Sequence, residues 1–371
     1  MALMTIRHLS SLAAAVLSLA LAPTVACDPA VDGGEGEGEG EGEGEGEPGA
    51  EPLPVDDGAW TYTVVDGARC GNGGEVGVAT NRGSSDRLVI YLEGGGACWD
   101  QFTCGNGFAS FVSSGIPQST ITQITSLSVG IFNRAETDSP FVADSFAYVP
   151  YCTGDVHGGT NPETPWGVAH VGGNNLDVML PRILATFPDA REVVLAGTSA
   201  GGYGVGMNVE KLATLLPDGV GLTALMDSAI PLPPFAGAEA VVTAQNSAWQ
   251  PDDCGPDCVT ALDRFQARLD ALPQVRFGLI QSLGDTTLRQ FYAAGFTPVA
   301  RQTWADAVSA FFDDFASRDN VDVFEIDVDQ HVFVYEPDLG SVVVDGTSLG
   351  DFMKGVVGDA APVDVRVPVG P

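Results

Sequence analysis

The sequence predicts an α/β fold with a largely parallel central sheet, helices on both faces and an irregular cap. Two patterns carry that expectation. Short apolar, β-branched runs alternate along the chain with stretches of helical period, and such alternation places parallel strands in one sheet. One of the runs, residues 192–196, leads directly into Gly197-Thr198-Ser199-Ala200-Gly201 and then into a helical segment. No internal repeat is visible.

In order, residues 60–65 read as a first strand and 70–77 as a loop. Leu88-Val89-Ile90-Tyr91-Leu92 is a strong strand, followed at once by Glu93-Gly94-Gly95-Gly96-Ala97-Cys98-Trp99. Residues 105–140 are polar, rich in small side chains and weakly periodic, as expected of a cap or lid. A strand follows at 145–150, a helix at 174–187 with Pro181 inside it, the 192–196 strand, and a helix through about Leu216. Residues 222–226 form a strand ending at Asp227, and 231–257 are proline-rich and irregular. An amphipathic helix at 259–272 precedes a strand at 276–283 that ends in Gly284-Asp285. Residues 305–317 are helical, and 321–326 are the last clear strand, with His331 five residues on.

The chain has 371 residues, 44% hydrophobic content and a net charge of −33. Residues 1–57 hold twelve acids and one arginine, and the remainder still carries −22. That surface disfavours nucleic acid and anionic membranes as partners. Residues 1–26 read as an export signal: Arg7, a short apolar core, then Thr24-Val25-Ala26 before a cleavage point. Cys27 follows in the position of a lipoprotein's acylated cysteine, although Thr24 stands where such signals usually carry leucine. The expected product is a cell-surface or periplasmic lipoprotein, with plain secretion as the other outcome. Residues 33–47 alternate Gly and Glu, so 27–57 are read as an extended acidic tether. The domain, expected to be monomeric, then occupies 58–371.

Apart from Cys27, six cysteines remain, an even number suited to an oxidising compartment. Cys98/Cys104 and Cys254/Cys258 are close enough in sequence for local loops, which leaves Cys70 and Cys152. Fifteen pairings are possible, so this is a preference. No histidine cluster accompanies these cysteines, and neither a metal nor another cofactor is expected.

A serine at a strand-to-helix turn sits in a strained conformation with its hydroxyl exposed, and small neighbours are required there. A nucleophilic Ser199 needs a base and a group to orient it. Of four histidines, His8 is in the signal, while His157 and His170 precede the serine; the hydrolase order of serine, acid, histidine selects His331. Asp285 is favoured as the acid over Asp227, with Asp327 and Asp329 flanking the histidine. The N–H of Ala200 at the helix N-terminus, with N–H groups of the glycine strip, would hold an oxyanion. Trp99, Asp155, Tyr203 and Asp227 are candidate substrate contacts. The fold expected is therefore α/β-hydrolase-like.

The blocks Tyr91-Leu92-Glu93-Gly94-Gly95-Gly96-Ala97-Cys98, Tyr151-Cys152-Thr153-Gly154-Asp155 and GTSAGG at 197–202, with Asp227-Ser228, Asp285 and His331, resemble the pectinacetylesterase/Notum family over roughly residues 58–335. The resemblance implies an α/β-hydrolase-fold carboxylesterase with Ser199 as nucleophile, Asp285 as acid and His331 as base. It also implies oxyanion donors at Gly95, Gly96 and Ala200, and disulfides Cys98–Cys104 and Cys70–Cys152. The family usually has an aromatic residue beside the cysteine of the glycine block, where this chain has Ala97 with Trp99 beyond. The leading expectation is an exported esterase removing O-acetyl groups from a polysaccharide such as pectin. The alternatives are an esterase or lipase on other acyl esters, and an idle glycan-binding lipoprotein.

Overall fold

The computed structural model describes residues 50–367, apart from 252–253, 256, 294–296, 359–360 and 362. The export signal, Cys27 and the Gly-Glu run lie outside the described residues. In chain order the strands are β1 (Thr61–Arg69), β2 (Glu75–Asn81), β3 (Arg87–Leu92), β4 (Ser145–Val149), β5 (Glu192–Thr198), β6 (Gly221–Asp227), β7 (Arg276–Ser282), β8 (Val321–Ile326), β9 (Val343–Val344), β10 (Thr347–Ser348) and β11 (Asp364–Val365). The helices are α1 (Gln101–Gly105), α2 (Gln118–Ile124), α3 (Gly172–Thr186), α4 (Ala200–Leu215), α5 (Glu239–Trp249), α6 (Ala261–Ala271), α7 (Thr286–Phe291), α8 (Arg301–Phe315) and α9 (Leu349–Val356).

The main sheet runs β1-β2-β4-β3-β5-β6-β7-β8-β11. Every neighbouring pair from β4 to β11 is parallel, while β1 and β2 add an antiparallel edge. The strand period of two divides each buried strand between two cores. Leu88, Ile90 and Leu92 of β3 share one cluster with the apolar stripes of α3, α4, α6 and α8. Val89 and Tyr91 share the other with Ile131, Phe132, Phe141 and the apolar face of α9. Both cores are needed because a parallel sheet is apolar on both faces. Register then aligns the strand ends: Thr198 lies opposite Asp227, and Ser282 opposite Ile326. The segments carrying Ser199, Ser228, Asp285 and His331 all leave the sheet at its carboxyl edge, where open α/β sheets build their sites.

Four expectations change. The stretch 70–77 is only partly a loop, because β2 begins at Glu75 and pairs with β1. Residues 105–140 divide: 106–110 lie beside the glycine strip, while the later part packs away from the serine. Ile124, Ile131 and Phe132 are buried against the far face of the sheet, and the Ile131 N–H donates to the Val334 carbonyl at 2.9 Å. Weak periodicity concealed three apolar anchors. The covering element comes instead from the stretch read as irregular, where α5 forms after Pro231-Leu232. The packed chain also starts ahead of Gly58, since Leu53 is buried and its N–H donates to Thr186 Oγ1 at 2.7 Å.

The disulfides are Cys70–Cys152, Cys98–Cys104 and Cys254–Cys258. Cys70–Cys152 joins the end of β1 to the loop after β4 across a sequence separation of 82. In the chain-entropy picture a closure of that length stabilises by roughly 4–5 kcal/mol. Replacing both Cys70 and Cys152 by alanine is expected to lower the unfolding free energy by about 3–5 kcal/mol. Urea titration followed by tryptophan fluorescence measures this, and the Cys254→Ala/Cys258→Ala pair, with its short loop, should lose clearly less.

Candidate active site

Ser199 stands between β5 and α4 with φ 51° and ψ −123°, a backbone region non-glycine residues rarely adopt. Its N–H donates to the Asp227 carbonyl at 2.9 Å. The flanking glycines answer a steric demand. A Cβ on Gly197 would run into the Gly201 carbonyl, and one on Gly201 into the Leu92 carbonyl oxygen. Only glycine lets α4 start this close to β3 and β5. Ala200 opens the helix, so its N–H lies at the positive end of the α4 dipole.

His331 lies in the loop after β8, with Nδ1 2.7 Å from Asp285 Oδ2. Asp285 is fully buried and caps α7: Oδ1 accepts from the Leu288 N–H at 2.8 Å, and Oδ2 also accepts from Gln281 Nε2 at 3.1 Å. Donation from Nδ1 to the carboxylate leaves Nε2 as the acceptor in a neutral imidazole. Asp327 and Asp329 instead hold the exposed Arg301 guanidinium, at 2.5 and 2.9 Å.

Asp227 does not line the cavity that opens at Ser199. It is fully buried, and its Oδ2 accepts from the N–H groups of Phe333 and Val334 at 2.6 and 2.8 Å. Ser228 Oγ donates to Asp227 Oδ1 at 2.9 Å and accepts from the Val332 N–H at 2.9 Å. Asp227 and Ser228 therefore hold the three residues that follow His331. Burial pushes the Asp227 carboxyl up to about 6, against the lowering pull of those donors.

Asp155 is likewise fully buried, accepting from Thr153 Oγ1, the His157 N–H and the Gly172 N–H. It organises the loop after β4 and does not face the cavity. Trp99 packs with Ala97, Tyr151 and Trp249, behind the cavity wall that Ala97 and Trp249 help to form, and does not itself line the cavity. His157 Nε2 donates to the Glu93 carbonyl at 2.8 Å and His170 Nδ1 to the Thr153 carbonyl at 2.7 Å, and burial lowers the pKa of both. Of the four expected contacts, only Tyr203 lines the cavity; its hydroxyl meets Tyr292 Oη at 3.1 Å.

The glycine strip runs beside Ser199. A Cβ on Gly94 would sit 3.1 Å from Ser199 Cβ, while Gly95 and Gly96 adopt φ of 152° and 77°. Among the described residues no backbone or side-chain acceptor takes the N–H of Gly95 or Gly96. A cavity of about 160 Å³ opens from Ser199, Ala200 and Gly96. Its wall is mainly apolar, with Met207, Leu232, Val241, Trp249, Phe291 and Tyr292 among its residues. Most of that wall escaped sequence reading, although Val241, Val242, Ala248 and Trp249 have helical spacing that could have revealed α5.

Two groups of potential metal ligands gather among the described residues: Cys98, Cys104 and His170, and Glu136, Asp138 and Asp338. In the first the sulfurs are joined as a disulfide and offer no thiolate. In the second, Lys354 Nζ stands 3.7 Å from Asp138 as a counter-charge.

A family model described as pectinacetylesterase matches residues 59–239. The palmitoleoyl-protein carboxylesterase notum2 of Xenopus laevis is 33% identical over 140 residues, which are 36% of this chain and 28% of that protein. The human palmitoleoyl-protein carboxylesterase NOTUM is 27% identical over 152 residues, 40% of this chain and 30% of its own length. Over residues 59–239, just under half of the chain, the sequence is similar to the pectinacetylesterase/Notum family. The crystal structure of the Wnt deacylase Notum from Drosophila superposes with a TM-score of 0.66 at 19% identity, covering 84% of this chain and 97% of that one. That likeness fixes the α/β-hydrolase-like fold. The sequence matches span about a third of the curated relatives' length.

Within this Notum-like fold, Glu93 begins the glycine strip and accepts from the Tyr151 N–H at 2.9 Å. Burial pushes its carboxyl up to about 7. Glu93 and Asp227 both bind protons more tightly in the folded chain than in the unfolded one. Their contribution to stability is thus complete below the ordinary carboxylate range and is lost as pH rises through about 6 to 7. Melting temperature is expected to fall between pH 5 and 8. Glu93→Gln should flatten that fall in calorimetric scans; an unchanged slope would remove Glu93 as its source.

Proposed function

We propose that this chain is an exported serine carboxylesterase acting on a neutral ester with an acyl chain longer than acetyl. The observation that carries the reading is a strained Ser199 at the mouth of an apolar cavity, at the same sheet edge as the His331–Asp285 pair. Ser199 Oγ attacks the ester carbonyl carbon as His331 Nε2 takes its proton. The imidazolium is balanced by Asp285, and the oxyanion accepts from the N–H groups of Gly95, Gly96 and Ala200. Collapse expels the alcohol, which takes the proton from His331. Water, deprotonated by the same ring, then releases the acid from Ser199.

The apolar wall supports the longer acyl chain, since an acetyl group would leave most of it unfilled and wet. The relatives' name, palmitoleoyl-protein carboxylesterase, points the same way. Deacetylation of a polysaccharide is the second reading, supported by the family model's description. The disulfides support export. A chain-length series of p-nitrophenyl esters separates these: kcat/KM should rise from acetate to octanoate, whereas a maximum at acetate favours deacetylation. Ser199→Ala and His331→Ala are each expected to lose about 10⁴-fold or more in kcat. A wild type inactive on every ester would leave the glycan-binding reading standing.

A further inference from the structure

A second cavity, of about 380 Å³, adjoins the glycine strip. It is lined by Gly95, Gly96, Asn106, Gly107, Phe108, Ser110, Gln290 and Phe291. Gly96 and Phe291 belong to both cavities. A Cβ on Gly95 would sit 2.9 Å from Tyr151 Cδ1 and 3.1 Å from Ser110 Oγ, and one on Gly96 would run into the Phe108 carbonyl oxygen, so the strip is packed directly against the segment that walls the second cavity. An ester whose carbonyl oxygen rests on this strip has two arms that diverge from the carbonyl carbon. If the apolar cavity takes the acyl arm, the second cavity is where the alcohol arm leaves.

The chemistry of the two spaces differs in the sense an ester requires. The second cavity offers the hydroxyl of Ser110, the amide of Gln290 and the Oδ1 of Asn106, whose Nδ2 already donates to the Phe102 carbonyl at 2.7 Å. It also offers aromatic surface in a row that continues outward. Phe291 meets Phe108 edge-to-face at 6.3 Å, and Phe108 meets Phe102 at 6.1 Å, with Phe102 59% exposed. No lysine, arginine or histidine lines it, and the chain carries a net −33. Aromatic faces for C–H surfaces beside uncharged amides and hydroxyls suit a polyhydroxylated ring. A uronate would enter with no counter-charge and against the charge of the whole chain.

We propose that this cavity is an alcohol-side subsite for a neutral saccharide, so that the substrate is a sugar ester and not an ester of an anionic pectin. The inference rests on the serine-esterase reading of the neighbouring site. The first test compares methyl 6-O-octanoyl-glucoside, methyl octanoate and an octanoyl-serine peptide as substrates of the full chain. In Gln290→Ala and Phe102→Ala, kcat/KM for the glucoside should fall about two- to tenfold more than for methyl octanoate. Equal losses on the two esters, or a selective loss on the peptide ester, would overturn the subsite.

A second measurement needs no turnover. Saturation-transfer NMR on Ser199→Ala should detect cellotetraose, weaken with Gln290→Ala added, and detect no trigalacturonate. Absence of cellotetraose binding, or preference for the anionic sugar, overturns the inference even where octanoate esters are hydrolysed. Binding with no hydrolysis by the wild type would retain the subsite and refute the esterase reading.

Discussion

Asp227, through its backbone and its side chain, joins the two halves of the site. Its backbone carbonyl receives the Ser199 N–H, and its Oδ2 receives the N–H groups of Phe333 and Val334. One residue at the end of β6 therefore holds both the serine turn and the loop that presents His331. A buried carboxylate without donors would cost several kcal/mol; here Ser228 and two backbone N–H groups meet it. Burial pushes the carboxyl up to about 6 against the pull of these donors. That residual cost fits a group that positions others and is not itself required to titrate.

Around this clamp the glycines solve a packing problem. The G-x-S-x-G turn lets α4 approach β3 and β5, and the strip at 94–96 lets backbone donors lie beside Ser199, with Gly96 lining both cavities. Side chains on the strip would strike the Thr198 and Phe108 carbonyls and the Tyr151 ring. The helix dipole of α4 and the free N–H groups of the strip then act on the same point. The walls differ because different segments build them: Pro231-Leu232 and α5 make the apolar one, while the α1–Ser110 turn and the end of α7 make the polar one.

Much of the site was legible in the sequence because its parts are local patterns. The serine turn, the triple glycine after a strand and the scarcity of histidines after Ser199 needed no knowledge of packing. Asp285 was distinguishable from Asp227 only by strand order, and the structure supplies the reason for the difference. Asp285 caps α7 and turns one oxygen to His331, whereas both Asp227 oxygens are already occupied. Asp155 and Trp99 misled because a polar or aromatic residue inside a motif can serve the loop's own structure as readily as a substrate.

The sequence by itself determined the strand-helix alternation, the strained serine and the pool of six cysteines, since each is set by neighbours a few residues away. Only the tertiary structure decided which segment covers Ser199, which carboxylate meets His331 and where the two arms of an ester can go. Those outcomes depend on contacts between residues more than a hundred positions apart, such as Asp227 with Phe333 and Cys98 with Trp249. Such contacts arise from burial summed over whole elements, and no local pattern encodes them.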